Sequence, residues 1–185
     1  MIAVELRGSI TILREKRLED APQDYQWRTD AELAKLDAAV PLRVPYEEYL
    51  RHYKEELRYP TPWSRRLAIV TLDGKHIGNC MYYDIDTINQ EAELGIMIGD
   101  KQYWSQGYGY DAIVTLVDHI FSTTSLRRIY LHTLEWNHRA RRCFEKCGFQ
   151  TVRPVRRTGY NFILMELYKD RWLQIREEKL AARPR

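Results

Sequence analysis

The sequence predicts a mixed α/β fold in one domain, and three observations carry that expectation. Segments with strand-like alternation and segments with helical periodicity interleave along the chain. Their order is strand, two helices, three strands, helix, strand, helix, two strands. Asp73-Gly74 joins two apolar runs as a hairpin turn, which puts antiparallel pairing near the middle. Finally, 185 residues that are 44% hydrophobic and 30% charged suit one soluble globular unit with a buried core.

Each element has a local reason. Ser9 to Leu13 reads as a strand, and Leu18 to Asp37 as helical material broken around Pro22. Pro45 stands near the start of a helix in which Tyr46, Tyr49, Leu50, Tyr53 and Leu57 recur at helical spacing. Tyr59-Pro60-Thr61-Pro62 stops it. Arg65 to Leu72 and His76 to Asp86 flank the hairpin turn, and Gln90 to Ile98 is the next strand. From Asp111 to Phe121, Ala112/Ile113, Leu116/Val117 and Ile120/Phe121 form one apolar helical stripe. Arg128 to Thr133 is a strand. Asn137 caps a helix whose buried face is Ala140, Cys143, Phe144 and Cys147, and Gly148 closes it. Phe149 to Val155 and Phe162 to Leu167 make a last strand pair. Trp172, Leu173, Ile175 and Leu180 mark a final helix, set to pack on the chain's own sheet or across a homodimer. The expected division is a body of residues 1–168 and a basic helical tail of residues 169–185.

Charge and composition narrow the function classes. The net charge is +3, and the tail holds the whole excess, with six basic and three acidic residues. The near-neutral body demands no nucleic-acid footprint. No apolar run approaches the ~20 residues of a membrane span, and the first residues lack the pattern of a signal peptide. A cytoplasmic location is the default expectation. Three cysteines do not make a disulfide framework, and Cys143 and Cys147 have no further ligands at metal spacing. Buried thiols and no metal are expected.

Trp104-Ser105-Gln106-Gly107-Tyr108-Gly109-Tyr110 follows a strand and precedes a helix. Two residues without Cβ at such a junction allow close approach to the backbone. The unpaired N–H groups and positive dipole of a helix N-terminus make an anion site, most often for phosphate. A plain tight turn would look the same.

Downstream residues add to this. The chain resembles the GNAT acetyltransferase superfamily from about Ile10 to Leu167. Gly107 and Gly109 fill the glycine positions of its signature Gln/Arg-x-x-Gly-x-Gly/Ala, with Trp104 in the leading place. Asn137, Ala140, Glu145, Lys146, Gly148 and Phe149 match the family's Asn-x-x-Ser/Ala-x-x-x-Tyr-Glu-Lys-x-Gly-Phe segment. The Tyr103-Trp104 pair resembles the ribosomal-protein alanine acetyltransferase-like (RimJ/RimL-like) branch. The resemblance implies a mostly antiparallel twisted sheet, splayed between two parallel strands and flanked by helices. It implies acetyl-CoA as cosubstrate, with the pyrophosphate on the backbone of Trp104, Ser105, Gln106, Gly107, Tyr108, Gly109 and Tyr110. The pantetheine arm would lie beside Met97, Ile98 and Gly99 like an added strand. Asn137 and Phe144 take family cofactor positions, although Asn137 is equally a plain helix cap.

Acetyl transfer needs a neutral amine, although a lysine-like amine titrates near ~10. It also needs a donor for the developing oxyanion. Glu93 lies fourteen residues before Gly107, the register of a catalytic glutamate in histone-acetyltransferase relatives, and is the expected general base, acting through water. A strand carboxylate without catalytic duty is the alternative. A backbone N–H at Met97 or Ile98, with Met97 preferred, is the expected oxyanion donor. Many family members have a tyrosine where Phe144 stands, and phenylalanine has no proton to give. Tyr103, Tyr108 and Tyr110 are nearby, and a thiol of pKa ~8.5 leaves adequately unaided. Trp27, Tyr46, Tyr49 and Tyr82 are candidates to line the acceptor site, or simply core. Asp24, Asp30, Glu32 and Asp37 make the region acidic, as a cationic amine prefers or as any solvated helix face. The acceptor is expected to be a protein N-terminus or a small amine. A silent acyl-CoA-binding module, or an RNA- or ribosome-binding protein using the tail, is the rival reading.

Overall fold

The computed structural model describes residues 4–185. Its strands are β1 (Glu5–Arg7), β2 (Thr11–Glu15), β3 (Ser64–Thr71), β4 (His76–Asp86), β5 (Glu91–Ile98), β6 (Arg128–Leu134), β7 (Gln150–Arg157) and β8 (Tyr160–Tyr168). Its α-helices are α1 (Ala21–Thr29), α2 (Ala31–Leu36), α3 (Tyr46–Arg58), α4 (Tyr108–Thr123), α5 (His138–Cys147) and α6 (Lys169–Ala181). One sheet runs in the order β1-β2-β3-β4-β5-β6-β8-β7. Every neighbouring pair is antiparallel except β5 and β6.

Alternation decides which face of the sheet is core. Leu13, Ile69, Cys80, Tyr82, Leu94, Ile129 and Leu131 join α4 residues such as Ile113, Leu116 and Ile120 in one buried cluster. Helices α4, α5 and α6 contribute to that cluster, through Val117, Phe144 and Trp172 among others. Trp172 is 1% exposed, and its indole N–H donates to Asp118 at 3.2 Å, so α6 is pinned to α4. Arg176 adds two hydrogen bonds to the same carboxylate, at 2.6 and 3.0 Å.

Past Glu93 the sheet opens. β5 and β6 pair at only three positions, Glu91 with Arg128, Ala92 with Ile129 and Glu93 with Tyr130. β5 nevertheless stays on β4 as far as Ile98, and β6 stays on β8 as far as Leu134. Each half of the sheet keeps its outer partner while the inner edges separate, leaving a wedge with unpaired backbone on both walls.

Three details differ from the expectation. The three-residue β1 precedes the first expected strand and pairs with it. Helix α4 starts at Tyr108 rather than Asp111, because Gly107 breaks the chain with φ +89° immediately before it. Cys80 and Cys147 are buried, but Cys143 is only half-buried.

Candidate active site

The loop at the mouth of the wedge is shaped to present N–H groups. Ser105 (φ +58°) and Gly107 (φ +89°) both take left-handed backbone, a curvature that turns successive amides to one side. No side chain caps α4. Asp111 N–H donates to Gly107, but Tyr108, Gly109 and Tyr110 precede the first intrahelical bond. The two glycines have different reasons. Gly107 needs its positive φ. At Gly109 a Cβ would meet only Cys143 Sγ, at 3.8 Å, so the chain itself asks for no glycine there. Room for a ligand against uncapped amides is what the site offers a phosphate. Asp111 does not spoil it, since its fully buried carboxylate accepts from the amides of Ser9, Ile10 and Thr11 and from the Thr11 hydroxyl.

The wedge wall can be read from hydrogen-bond parity. Gly99 N–H donates to Ile77 O on the β4 side at 2.9 Å. Alternation then sends the amide of Met97 toward β4 as well, and the amide and carbonyl of Ile98 into the wedge. The Trp104 indole N–H confirms the direction by donating to Ile98 O at 2.7 Å. By this parity the Met97 amide faces β4, and of the two residues expected to offer an oxyanion donor it is Ile98, with Ile96, whose amide faces the wedge. Gly99 also has another duty. Its missing Cβ makes room for Trp27, whose Cδ2 would sit 2.1 Å away. Arg139 lies 3.9 Å over the Trp104 ring, so a stacked pair joins the loop after β5 to α5.

On the face away from α4, Glu93 is 3% exposed and sits where β5 and β6 part. Its Oε1 lies 2.7 Å from His132 Nδ1 and 3.8 Å from Arg157. Tyr83, opposite Glu93 on β4, shares this face. Burial first, and then the Glu93 charge, raise the Tyr83 hydroxyl above the ordinary tyrosine value. His132 was not singled out from the sequence. Alternation along Arg128 to Thr133 could have found it, because Ile129, Leu131 and Thr133 are buried and His132 must point the other way.

Residues 11–150 match the family model of the acetyltransferase (GNAT) domain. The chain belongs to the GNAT acetyltransferase family. That places it among acetyl-CoA-using acyltransferase domains, with the mixed α/β GNAT fold. An uncharacterized N-acetyltransferase p20 of Bacillus licheniformis is 30% identical over 118 residues, covering 63% of this chain and 66% of that one. A probable spermine N(1)-acetyltransferase of Bacillus subtilis subsp. natto is 30% identical over 100 residues, covering 51% and 66%. The match thus spans just under two thirds of each of these relatives. Among solved structures, the spermidine N-acetyltransferase from Vibrio cholerae in complex with CoA and spermine superposes with TM-score 0.79 at 20% identity, over 90% of this chain and 99% of that one. An aminoglycoside acetyltransferase, AAC(6')-Ib, in complex with coenzyme A gives TM-score 0.74 at 18% identity over 90% and 99%.

In this GNAT chain other expected residues fall as follows. Asn137 Oδ1 accepts from Ala140 N–H at 3.2 Å, the cap of α5. Phe144 is buried edge-to-face on Phe149, 5.9 Å between centroids. Tyr110 points away from the wedge, donating to Lys179 O at 2.9 Å, and burial pushes its hydroxyl up to about 12. Tyr108 packs on Tyr103, and Gln106 turns back to Gln102 O. Tyr82 is a correction. It sits opposite Leu94 in the core on the α4 side, the other of its two expected places, and its neighbour Tyr83 lies on the Glu93 face. Trp27 and Met97 line a small cleft with Arg28, Leu33 and Asp37. Tyr46 packs on Tyr25 at 5.2 Å, away from that lining. The acidic residues are largely engaged. Asp24 accepts from Asn79, Tyr53 and Lys16, while Asp30 and Glu32 hold Lys101.

Proposed function

We propose that this chain transfers the acetyl group of acetyl-CoA to a primary amine by direct attack in a ternary complex. The observation that carries the reading is the wedge between β5 and β6 with a glycine loop and uncapped helix at its mouth. Uncapped amides suit the pyrophosphate, and the two unpaired edges suit a pantetheine arm lying as an extra strand. Ile98 and Ile96 offer amides toward the thioester carbonyl. Glu93 and His132 stand on the opposite face, where an amine would approach.

Two acceptor classes compete. The relatives named for spermine and spermidine support a small polyamine. The Tyr103-Trp104 pair supports a protein N-terminus, as in the RimJ/RimL-like branch. Measuring thiol release from acetyl-CoA across spermidine, spermine, aminoglycosides and peptides with N-terminal Ala or Ser decides between them. A rate above background with one class assigns it. Silence on every amine, with acetyl-CoA still raising the melting temperature, points instead to a silent acyl-CoA-binding module.

A further inference from the structure

We propose that His132, oriented by Glu93, is the group that takes the proton from the acceptor amine. The proposal rests on the acetyl-transfer reading above. The two side chains share the sheet face away from the core, Glu93 at the last paired position before the wedge opens and His132 two residues further along β6, past its partner Tyr130. The 2.7 Å contact is to Nδ1, so an ionised Glu93 fixes the proton on that nitrogen. Nε2 is left with its lone pair and makes no hydrogen bond to the protein among the described residues. A buried carboxylate that sets the tautomer of an imidazole, whose other nitrogen does the proton transfer, is the logic of a catalytic triad. Glu93 itself is poorly placed to act alone. It is buried, already accepts from His132, and faces Arg157 at 3.8 Å.

The ring is held on three sides. Glu93 faces it from β5, Tyr130 from its own strand at 6.0 Å between centroids, and Phe162 from β8 at 6.1 Å. Tyr83 on β4 and Arg157 on β7 complete the charged and titratable surroundings through Glu93. The step balances as follows. The ammonium gives one proton to Nε2, which passes it to solvent. The freed lone pair forms the C–N bond, and the C–S bond breaks with its electron pair on sulfur. The remaining extra N–H proton returns through Nε2 to the thiolate. The products are an amide, a thiol and one released proton. The same nitrogen thus covers the acid duty that Phe144 cannot perform.

Two measurements test this. ¹⁵N-histidine NMR of the resting protein should show His132 protonated at Nδ1 and bare at Nε2; the opposite tautomer overturns the assignment. On an amine the wild type acetylates, His132→Ala should lower kcat by about 10²–10⁴-fold with the KM for acetyl-CoA unchanged. The acidic limb of its pH–rate profile should disappear, and added imidazole should restore part of the rate. His132→Gln, which keeps bulk and polarity, should melt near the wild type and still be slow. Turnover and pH profile that survive both substitutions overturn the proposal alone, and make Glu93 the direct base if Glu93→Gln is then inactive. Wild-type silence on every amine overturns the acetyl-transfer reading, and this proposal with it.

Discussion

Gly99 and Gly109 lack a Cβ for opposite reasons, and substitution separates them. Alanine at 99 would drive a methyl into the Trp27 ring, 2.1 Å from Cδ2. Overpacking of that kind costs about 1–3 kcal/mol, so Gly99→Ala should lower the melting temperature of the free protein. Aspartate at 109 would find only Cys143 nearby and would sit in the first turn of α4, where a negative charge is favourable. Gly109→Asp should therefore melt at or near the wild-type temperature yet bind acetyl-CoA at least about tenfold more weakly, because its charge opposes the pyrophosphate. Melting curves with and without acetyl-CoA check both. A Gly109→Asp protein that is simply unstable would count against this account of the loop.

At the level of elements, two attachments have different chemistry. Helix α6 is held by the buried Trp172 and by the Arg176–Asp118 pair, whose side chains are partly exposed. Trp172→Ala should cost about 3–5 kcal/mol in urea unfolding, and Arg176→Ala under about 1 kcal/mol. Equal effects would mean that the ion pair holds the helix as strongly as the indole does. The second attachment joins the turn before α1 to β2 and β4. Burial alone would raise the Asp20 carboxyl. The Arg14 guanidinium, the Arg17 amide and the neighbouring His76 and Lys16 outweigh it and hold the group at about 2. A carboxyl depressed in the folded state contributes stability above its unfolded value near ~4 and loses it as pH falls toward about 2. That contribution is on the order of 2 kcal/mol. Unfolding free energies at pH 5 and pH 2.5 should therefore differ less in Asp20→Asn than in the wild type.

Over the whole molecule, the elements with strong periodicity were legible, and the faces of the strands were less so. The apolar stripe of α4, the Asn137 and Gly148 ends of α5 and the Asp73-Gly74 hairpin each follow from local chemistry that the tertiary structure does not override. The start of α4 was read late because Tyr108, Gly109 and Tyr110 interrupt its apolar spacing. β1 is three residues long, too short for alternation to register. Tyr82 was open between an acceptor pocket and the core, and it lies in the core. Tyr82 and Tyr83 are adjacent and chemically alike, so only the pairing of Tyr82 with Leu94 and of Tyr83 with Glu93 tells which of them faces α4. The choice between the Met97 and Ile98 amides was equally hidden. Backbone direction depends on which pairs exchange hydrogen bonds, and residue order does not reveal that. Alternation gives the face of His132 but not its contact with Glu93, which spans 39 positions of sequence.

Acetyl transfer by this chain turns on one proposal, that the wedge between β5 and β6, with the loop at its mouth, binds acetyl-CoA. Titration calorimetry of acetyl-CoA into the wild type and Gly109→Asp tests it most directly. The account predicts one site per chain in the wild type, weakened at least about tenfold by the substitution while the fold is kept. No heat with the wild type, or equal affinity for a folded Gly109→Asp protein, would contradict it.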